Sequence, residues 1–246
     1  MKKNIPAVII LLALLLPAAV SALTGEEVLE KADQVQTFTT SVSSGEMRIK
    51  DRFDIKVTSF NAWSRGADES LIEFTSTAER GQKVLRTADE LYLFYPDAEE
   101  LIRMQGSALR QSMLGSDISY EDMTGNKDRT SKYTVELQGE EKVQGKPCYI
   151  IFMTAKTRTV PYPKQKVWID KESFIVRKGE YYTKSGRLLK EMEILETKVI
   201  KGREIAVQTR IADKMKKDTE TIMILSELQL DVPVDPKIFS LEELSW

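Results

Sequence analysis

The chain has 246 residues, of which 41% are hydrophobic and 30% are charged, and its 36 basic and 38 acidic residues give a net charge of −2. Binding to a phosphate backbone needs a basic excess, so this composition argues against a nucleic-acid partner. The chain contains no histidine, which excludes Ser-His-Asp and Cys-His catalytic arrangements and histidine metal ligands. We therefore expect no enzyme, no metal and no cofactor, and the alternative left open is a hydrolase that uses carboxylates alone.

Residues 1–22 have the pattern of a cleavable secretory signal peptide. Lys2 and Lys3 precede an apolar stretch over 8–16, and small residues lead to a cleavage site after Ala22. The apolar stretch is too short to span a membrane. Leu23 follows the cut, where a lipoprotein signal places a cysteine. We therefore expect a periplasmic protein without a lipid anchor, with 34 basic and 38 acidic residues and a net charge of −4.

The mature chain begins with a helix signal. Thr24 and Glu27 match a capping box, in which a hydroxyl and a carboxylate three residues apart each accept a hydrogen bond from the other's backbone amide. Apolar residues then follow at helical spacing: Val28, Leu29, Ala32 and Val35. This pattern predicts a short amphipathic helix over 25–36.

Strand patterns follow, in which apolar and polar residues alternate between turn signals. The predicted strands lie at 55–58, 71–77, 83–87, 91–95, 133–137, 148–154, 165–170, 174–183, 187–199, 203–212 and 220–230. Short turns join several of them, as between antiparallel neighbours. The sequence therefore predicts a mainly β fold, a single large curved antiparallel sheet of about 10–11 strands that forms an incomplete β-barrel covered by short lid helices. No linker divides the chain, so we expect residues 23–246 to be a single domain.

A sheet of this size has too little helix to cover both faces, so it either fills itself with side chains or leaves an apolar cavity. For each residue that we predict to line such a cavity, the alternative is an ordinary core position. Phe60 and Trp63 lie on opposite faces of a regular strand, so at least one of these two cavity predictions is wrong. The predicted cavity residues are Phe60, Trp63, Phe74, Leu93, Tyr95, Met104 and Phe152. The strand pattern breaks over 106–126, where the predicted lid residues Leu109, Met113 and Leu114 share a helical face.

Several segments resemble one bacterial family. They are 92–96, 101–104, 114–123, 143–149, 166–171 and 180–188, and in this order they resemble segments of the outer-membrane lipoprotein-sorting proteins, the LolA-like periplasmic lipoprotein carriers. The most specific of them is the motif loop, which contains Gly115, Ser116, Asp117, Tyr120, Glu121 and Asp122. Its acids Asp117, Glu121 and Asp122 lack the spacing of a calcium loop, so we predict a solvated or structural turn there, and a cation site is the alternative.

The resemblance implies a LolA/LolB-like fold whose cavity binds the acyl chains of lipoproteins or lipids and whose lid is displaced by cargo. The implied function is that of a periplasmic carrier or chaperone that shuttles this cargo toward the outer membrane. Its implied partners are an inner-membrane transporter as donor and an outer-membrane acceptor, and we expect a monomer. The alternative is a periplasmic lipid-binding sensor or accessory subunit that regulates an inner-membrane export complex.

Overall fold

In the computed structural model of the protein, the described residues are 23–88, 90–124 and 129–244. The predicted signal peptide lies outside them. No helix within these ranges is long and apolar enough to cross a membrane.

Within the described ranges, thirteen antiparallel strands form one sheet that is not closed into a barrel. The strand order is β6-β5-β4-β3-β2-β1-β13-β12-β11-β10-β9-β8-β7. Neighbouring strands in the sheet are therefore consecutive in the chain everywhere except at the centre, where β1 pairs with β13. The strands are β1 (Thr40–Lys50), β2 (Ile55–Arg65), β3 (Glu69–Phe74), β4 (Lys83–Thr87), β5 (Glu90–Tyr95), β6 (Glu100–Met104), β7 (Tyr133–Val143), β8 (Lys146–Ala155), β9 (Lys164–Asp170), β10 (Val176–Tyr182), β11 (Leu188–Ile200), β12 (Arg203–Asp213) and β13 (Glu220–Leu230).

The predicted fold class is confirmed, and the predicted strand count is too low by the two strands β1 and β6. β1 begins with a polar, serine-rich stretch and contains Gly45, so it lacks the apolar alternation that marks a strand. Its central place comes from pairing with β2 and β13 on either side. β6 is a five-residue edge strand, too short to give a clear period.

In the parts of the chain that the structure describes, three short α-helices and several 3-10 turns accompany the sheet. The predicted N-terminal helix is confirmed as α1 (Gly25–Val35) with its capping box: the Thr24 amide donates to Glu27 Oε2 at 2.7 Å, and the Glu27 amide donates to Thr24 Oγ1 at 3.2 Å. The other helices are α2 (Arg129–Lys132) and α3 (Leu241–Leu244), and the 3-10 turns are Pro96–Ala98, Gly106–Arg110, Met113–Gly115, Tyr120–Thr124 and Pro236–Phe239.

The two faces of the sheet carry different coverings. One face, called the lid face here, packs against residues 106–124 at one end and against α1 at the other. The opposite back face is covered on β3–β5 by the C-terminal segment, where Phe239 and Leu244 pack against Leu71, Leu85 and Phe94. This position explains why the chain leaves the sheet after β13.

Candidate functional site

The connection between the two edge strands of the sheet crosses the lid face. β6 and β7 are the edges, and the chain between them contains residues 106–124, called the lid segment here, followed by α2. Its backbone is mostly 3-10 turns, with one isolated bridge between Ser112 and Ser119. The lid segment is therefore held to the sheet mainly by its side chains.

The apolar side chains of the lid segment pack onto the lid face. Met113 is 1% exposed, and Leu109 and Leu114 are half-buried against the same cluster. The three predicted lid residues therefore share one contact surface. The buried members of this cluster on the sheet are Met47, Ile49, Phe60, Phe74, Val84, Leu91, Leu93 and Met104.

The structure brings five of the seven predicted cavity residues to this cluster. Phe60, Phe74, Leu93 and Met104 are buried in it, and Tyr95 is half-buried against it. The other two are on the back face. Strand alternation places Trp63 beside Leu71 under the C-terminal segment, and it turns Phe152 away from its neighbours Ile151 and Met153, which are buried on the lid face beneath α1. Neither back-face residue lines a space beneath the lid segment.

The motif loop fastens the lid segment to the sheet at two places. At the first, called the Asp117 latch here, the Asp117 carboxylate is 2% exposed and accepts hydrogen bonds from Thr219 Oγ1 at 2.8 Å and Thr221 Oγ1 at 3.2 Å. Lys216 Nζ donates to Ser112 Oγ at 2.9 Å and to the Ser116 carbonyl at 2.6 Å. A buried carboxylate needs such partners, so this latch joins the lid segment to the β12–β13 hairpin.

At the second place, called the Asp122 latch here, the carboxylate binds the other half of the sheet. Asp122 forms an ion pair with Lys190 of β11 and accepts a hydrogen bond from the Tyr162 hydroxyl at 2.5 Å. The Ser119 amide and hydroxyl both donate to it at 2.8 Å. Burial, with the neighbouring Asp122 charge, raises the pKa of Tyr162, which keeps its hydroxyl protonated as a donor.

The remaining motif-loop residues shape the turn or fill the core. Gly115 is exposed and has a φ of +83°, in the left-handed region that favours glycine. Ser116 is buried, and its hydroxyl is bonded to the Ile118 backbone. Tyr120 packs in the cluster beneath the lid segment, and burial raises its pKa. Burial also raises the pKa of Glu121, which lies beside Asp122.

At the other end of the lid face, α1 provides a second cover. Its residues Val28, Leu29 and Ala32 are fully buried against β7–β10. An ion pair between Asp33 and the buried Arg129 joins α1 to α2, which follows the lid segment in the chain. The two covers are thereby linked.

In the described part of the chain, three cavities beside these covers share Met192 of β11 in their lining, and a further one of about 610 Å³ beside Gln34 and Val35 does not include it. We call the three together the hollow. The first has a volume of about 820 Å³ and a partly polar lining that includes Asp33, Arg129 and Tyr181. The second, of about 340 Å³, is mainly apolar and lies at the C-terminal end of α1, where its lining includes Val35, Phe38, Ile175, Ile194 and Ile205.

The third cavity has a volume of about 150 Å³ and lies under the lid segment, between Ile118, the Asp122 latch and Ile211. The larger two cavities have the size of typical small-molecule pockets. The predicted cavity residues belong to β2, β3, β5, β6 and β8, whereas the hollow is lined mainly by β9–β12, with Arg86 of β4 and the β2–β3 turn at the largest cavity. Met192 is an unbranched, adaptable apolar residue in the predicted strand 187–199, and both properties are signals in the sequence that favour its place in a hollow.

Comparisons with known proteins agree with this architecture. A family model described only as an uncharacterised protein matches residues 66–246, and no curated protein matches the chain. A DUF1329 family protein from Desulfovibrio piger is 29% identical, with a TM-score of 0.82 over 89% of this chain and 97% of that one. A LolA superfamily protein from Nitrosomonas europaea is 25% identical, with a TM-score of 0.74 over 90% of this chain and 100% of that one.

A third structure shows the same fold at lower identity. It is a domain from Vibrio parahaemolyticus described as an outer membrane lipoprotein-sorting domain, 20% identical, with a TM-score of 0.82 over 90% of this chain and 98% of that one.

Proposed function

Because this chain belongs to the LolA-like family, we propose that it is a periplasmic carrier that binds acyl chains of lipoproteins or lipids in the hollow and shuttles them toward the outer membrane. The observation that carries this proposal is that both covers of the lid face border one set of cavities meeting at Met192. The fold itself is that of the lipoprotein and lipid carriers.

The energetics of acyl-chain transfer require a covered apolar space, and the cavity of about 340 Å³ beside Val35 and Ile194 is a mainly apolar part of the hollow. Burying an acyl chain is worth roughly 0.8 kcal/mol per methylene, or on the order of 12 kcal/mol for a chain of about 15 methylenes. A carrier must offer a comparable environment, because otherwise its cargo stays in the membrane. An open apolar face of that size promotes aggregation, so the empty protein needs a cover that cargo can displace.

The lid segment has the properties of a displaceable cover. It is joined to the sheet by the Asp117 and Asp122 latches and by the packing of a few apolar side chains. Segments held by few backbone hydrogen bonds open at lower free energy than core strands. The free energy spent on opening is subtracted from cargo affinity, which keeps the cargo releasable.

The cellular setting follows from the sequence. The signal at 1–22 directs the chain to the periplasm, where residues 23–246 act as a single domain and as a monomer. An inner-membrane transporter donates the cargo and an outer-membrane component accepts it. Carriage changes no covalent bond, so we propose no catalytic residue.

Filling the hollow tests the proposal directly. We expect the native protein to bind a fluorescent fatty acid and to carry it from donor to acceptor vesicles. Met192→Trp enlarges a side chain shared by all three cavities, and it is expected to weaken fatty-acid binding at least tenfold. The matched control is Leu195→Trp, on the same strand at a position that is 38% exposed.

The possible outcomes separate the alternatives. Equal binding by the Met192→Trp and Leu195→Trp proteins would place the acyl chain elsewhere and refute the hollow as the site. Binding without transfer between vesicles would favour the sensor or accessory-subunit function over the carrier. Hydrolysis of a glycoside or a lipid ester that Glu121→Gln abolishes, with fatty-acid binding unchanged, would indicate a hydrolase.

A further inference from the structure

The turn between β1 and β2 projects an apolar side chain into solvent. Phe53 is 90% exposed, more than any other large apolar side chain in the described ranges. Ile55 and Val57 follow it on β2 and are 56% and 48% exposed. Isolated exposed apolar residues are ordinary, but an aromatic tip followed by two exposed branched residues forms a continuous apolar edge.

Two aspartates hold Phe53 in this projecting position. Asp51 Oδ1 accepts hydrogen bonds from the Phe53 amide at 2.7 Å and the Asp54 amide at 2.9 Å. Asp54 Oδ1 accepts one from the Ile55 amide at 2.7 Å. Both carboxylates therefore face the backbone of the turn, and the side chain between them points outward.

A second turn lies beside the first. Lys50 of β1 pairs with Glu220 of β13, so the β12–β13 turn is next to the β1–β2 turn at the same end of the sheet. Met215 in that turn is 50% exposed, and its neighbours Lys214 and Lys217 are exposed. The two hairpins therefore each present exposed apolar side chains at the same end of the sheet.

Taken alone, the segment 48–57 has a net charge of +2, whereas the whole chain has −2. Residues 48–57 contain four cations and two acids, and both acids are bonded to the turn backbone. The four cations are Arg48, Lys50, Arg52 and Lys56. Arg48 forms an ion pair with Glu46, and Lys56 forms one with Glu79. Lys50 lies 3.9 Å from Glu220. Arg52 lies next to Phe53 at the tip and is exposed.

We propose that this end of the sheet, residues 48–57 together with 214–217, docks on an anionic lipid surface, with Phe53 among the acyl chains and the basic side chains at the headgroups. An apolar residue surrounded by lysine and arginine is the chemistry that recognises an anionic bilayer. The exposed cations Arg52 and Lys217 lie near the projecting Phe53 and complement an anionic lipid surface, which favours lipid over protein as the occupant.

Vesicle flotation tests the proposal with the full mature chain. The native protein is expected to float with vesicles of phosphatidylglycerol and phosphatidylcholine and to float weakly with phosphatidylcholine alone. Phe53→Ser should weaken the first interaction about tenfold, because one large apolar side chain no longer inserts. Arg52→Glu should weaken binding to the phosphatidylglycerol vesicles more than fivefold, because a single basic charge near an anionic surface contributes about that much. Added salt should weaken this binding further, because it screens the charges.

Val199 provides the matched control. It is 74% exposed on β11, near the β11–β12 turn at the opposite end of the sheet. Val199→Ser should float as the native protein does. Phe53→Trp should show a blue shift of its fluorescence on adding phosphatidylglycerol vesicles, whereas Val199→Trp should not.

The results distinguish this proposal from the carrier function. Phe53→Ser should still bind a fatty acid free in solution, and Met192→Trp should still float with vesicles. Equal flotation of the Phe53→Ser and Val199→Ser proteins would overturn the proposal, as would equal flotation of the native protein with both kinds of vesicle. Flotation that requires a protein embedded in the vesicles would also overturn it, since the docking partner would then be that protein.

Discussion

Removing the Asp117 carboxylate is expected to open the lid segment without unfolding the sheet. In Asp117→Ala the hydroxyls of Thr219 and Thr221 lose their common acceptor, and Thr221 stays fully buried. A hydrogen bond to a charged group contributes about 1.5–3 kcal/mol. The mutation also removes the free-energy cost of burying the carboxylate, which offsets part of the loss of the two hydrogen bonds. We therefore expect the free energy that keeps the lid segment closed to fall by about 3 kcal/mol.

This free energy predicts a change that hydrogen exchange can measure. About 3 kcal/mol corresponds to an opening of the lid segment roughly 100-fold more frequent, since each 1.4 kcal/mol is a factor of ten. The reporter amides are Met113, which donates to the Ile118 carbonyl at 2.8 Å, and Tyr120, which donates to the Gln111 carbonyl at 3.2 Å. Amides of β11 serve as the internal reference, and Asp97→Ala, at an exposed turn, is the control.

Cargo affinity gives a second readout of the same latch. If cargo displaces the lid segment, a weakened Asp117 latch lowers the free energy of opening, and fatty-acid affinity rises by up to the same factor. The reasoning would be refuted by unchanged exchange at Met113 and Tyr120 relative to β11. It would equally be refuted by faster exchange spread evenly over the sheet, because the latch would then support the whole fold.

Two further predictions concern the stability of the sheet. Arg177 donates hydrogen bonds to two carboxylates, from Nε to Asp170 at 2.5 Å and from Nη2 to Glu204 at 2.8 Å. Burial acts to raise the pKa of both carboxylates, but their hydrogen bonds outweigh it, so both pKa values are lowered. Their stabilisation is therefore complete above the unfolded values of about 4 and is lost as pH falls through the lowered ones. Arg177→Met should lower the free energy of unfolding by about 3–5 kcal/mol at pH 7. In urea unfolding this mutant should become more stable as the pH falls, whereas the control Arg80→Met should lose stability as the native protein does. A native pH profile in the Arg177→Met protein would contradict the assignment. A Cβ on Gly45 would lie 2.2 Å from the Ile224 carbonyl oxygen. Gly45→Ala should therefore lower the free energy of unfolding by about 3 kcal/mol and the Tm by about 6–12 °C. A Tm equal to that of the Ser44→Ala protein would show instead that the strands move to make room for the methyl group.

Local patterns in the sequence predict most of the fold. The capping box at Thr24 marks the start of α1, and alternation predicts eleven of the thirteen strands. β1 was missed because its first half is polar and its place in the sheet is decided by two partner strands. Strand alternation predicts that Phe60 and Trp63 lie on opposite faces of the sheet. It does not predict which of the two faces is the lid face, because that depends on segments far along the chain.

The candidate site was less predictable for the same reason. The motif loop was found by resemblance, yet Asp117 bonds to residues about one hundred positions away, and Asp122 bonds to Lys190 across the sheet. The central position of Met192 arises where α1, the lid segment and β9–β12 approach one another. No local spacing encodes such a meeting point, because it depends on long-range packing.

The pairing of the first strand with the last has a consequence for how the protein is made. β1 and β13 meet at the centre of the sheet, so the two halves are separate meanders until the final strand has emerged. Contacts between such distant parts of a chain form slowly, because the entropy of closing the intervening loop must be overcome first. A chain built this way stays incompletely folded during its synthesis, which is the state in which a secreted polypeptide passes through a translocation pore. In the export that we propose, the pairing of β1 with β13 delays completion of the sheet until β13 has been made.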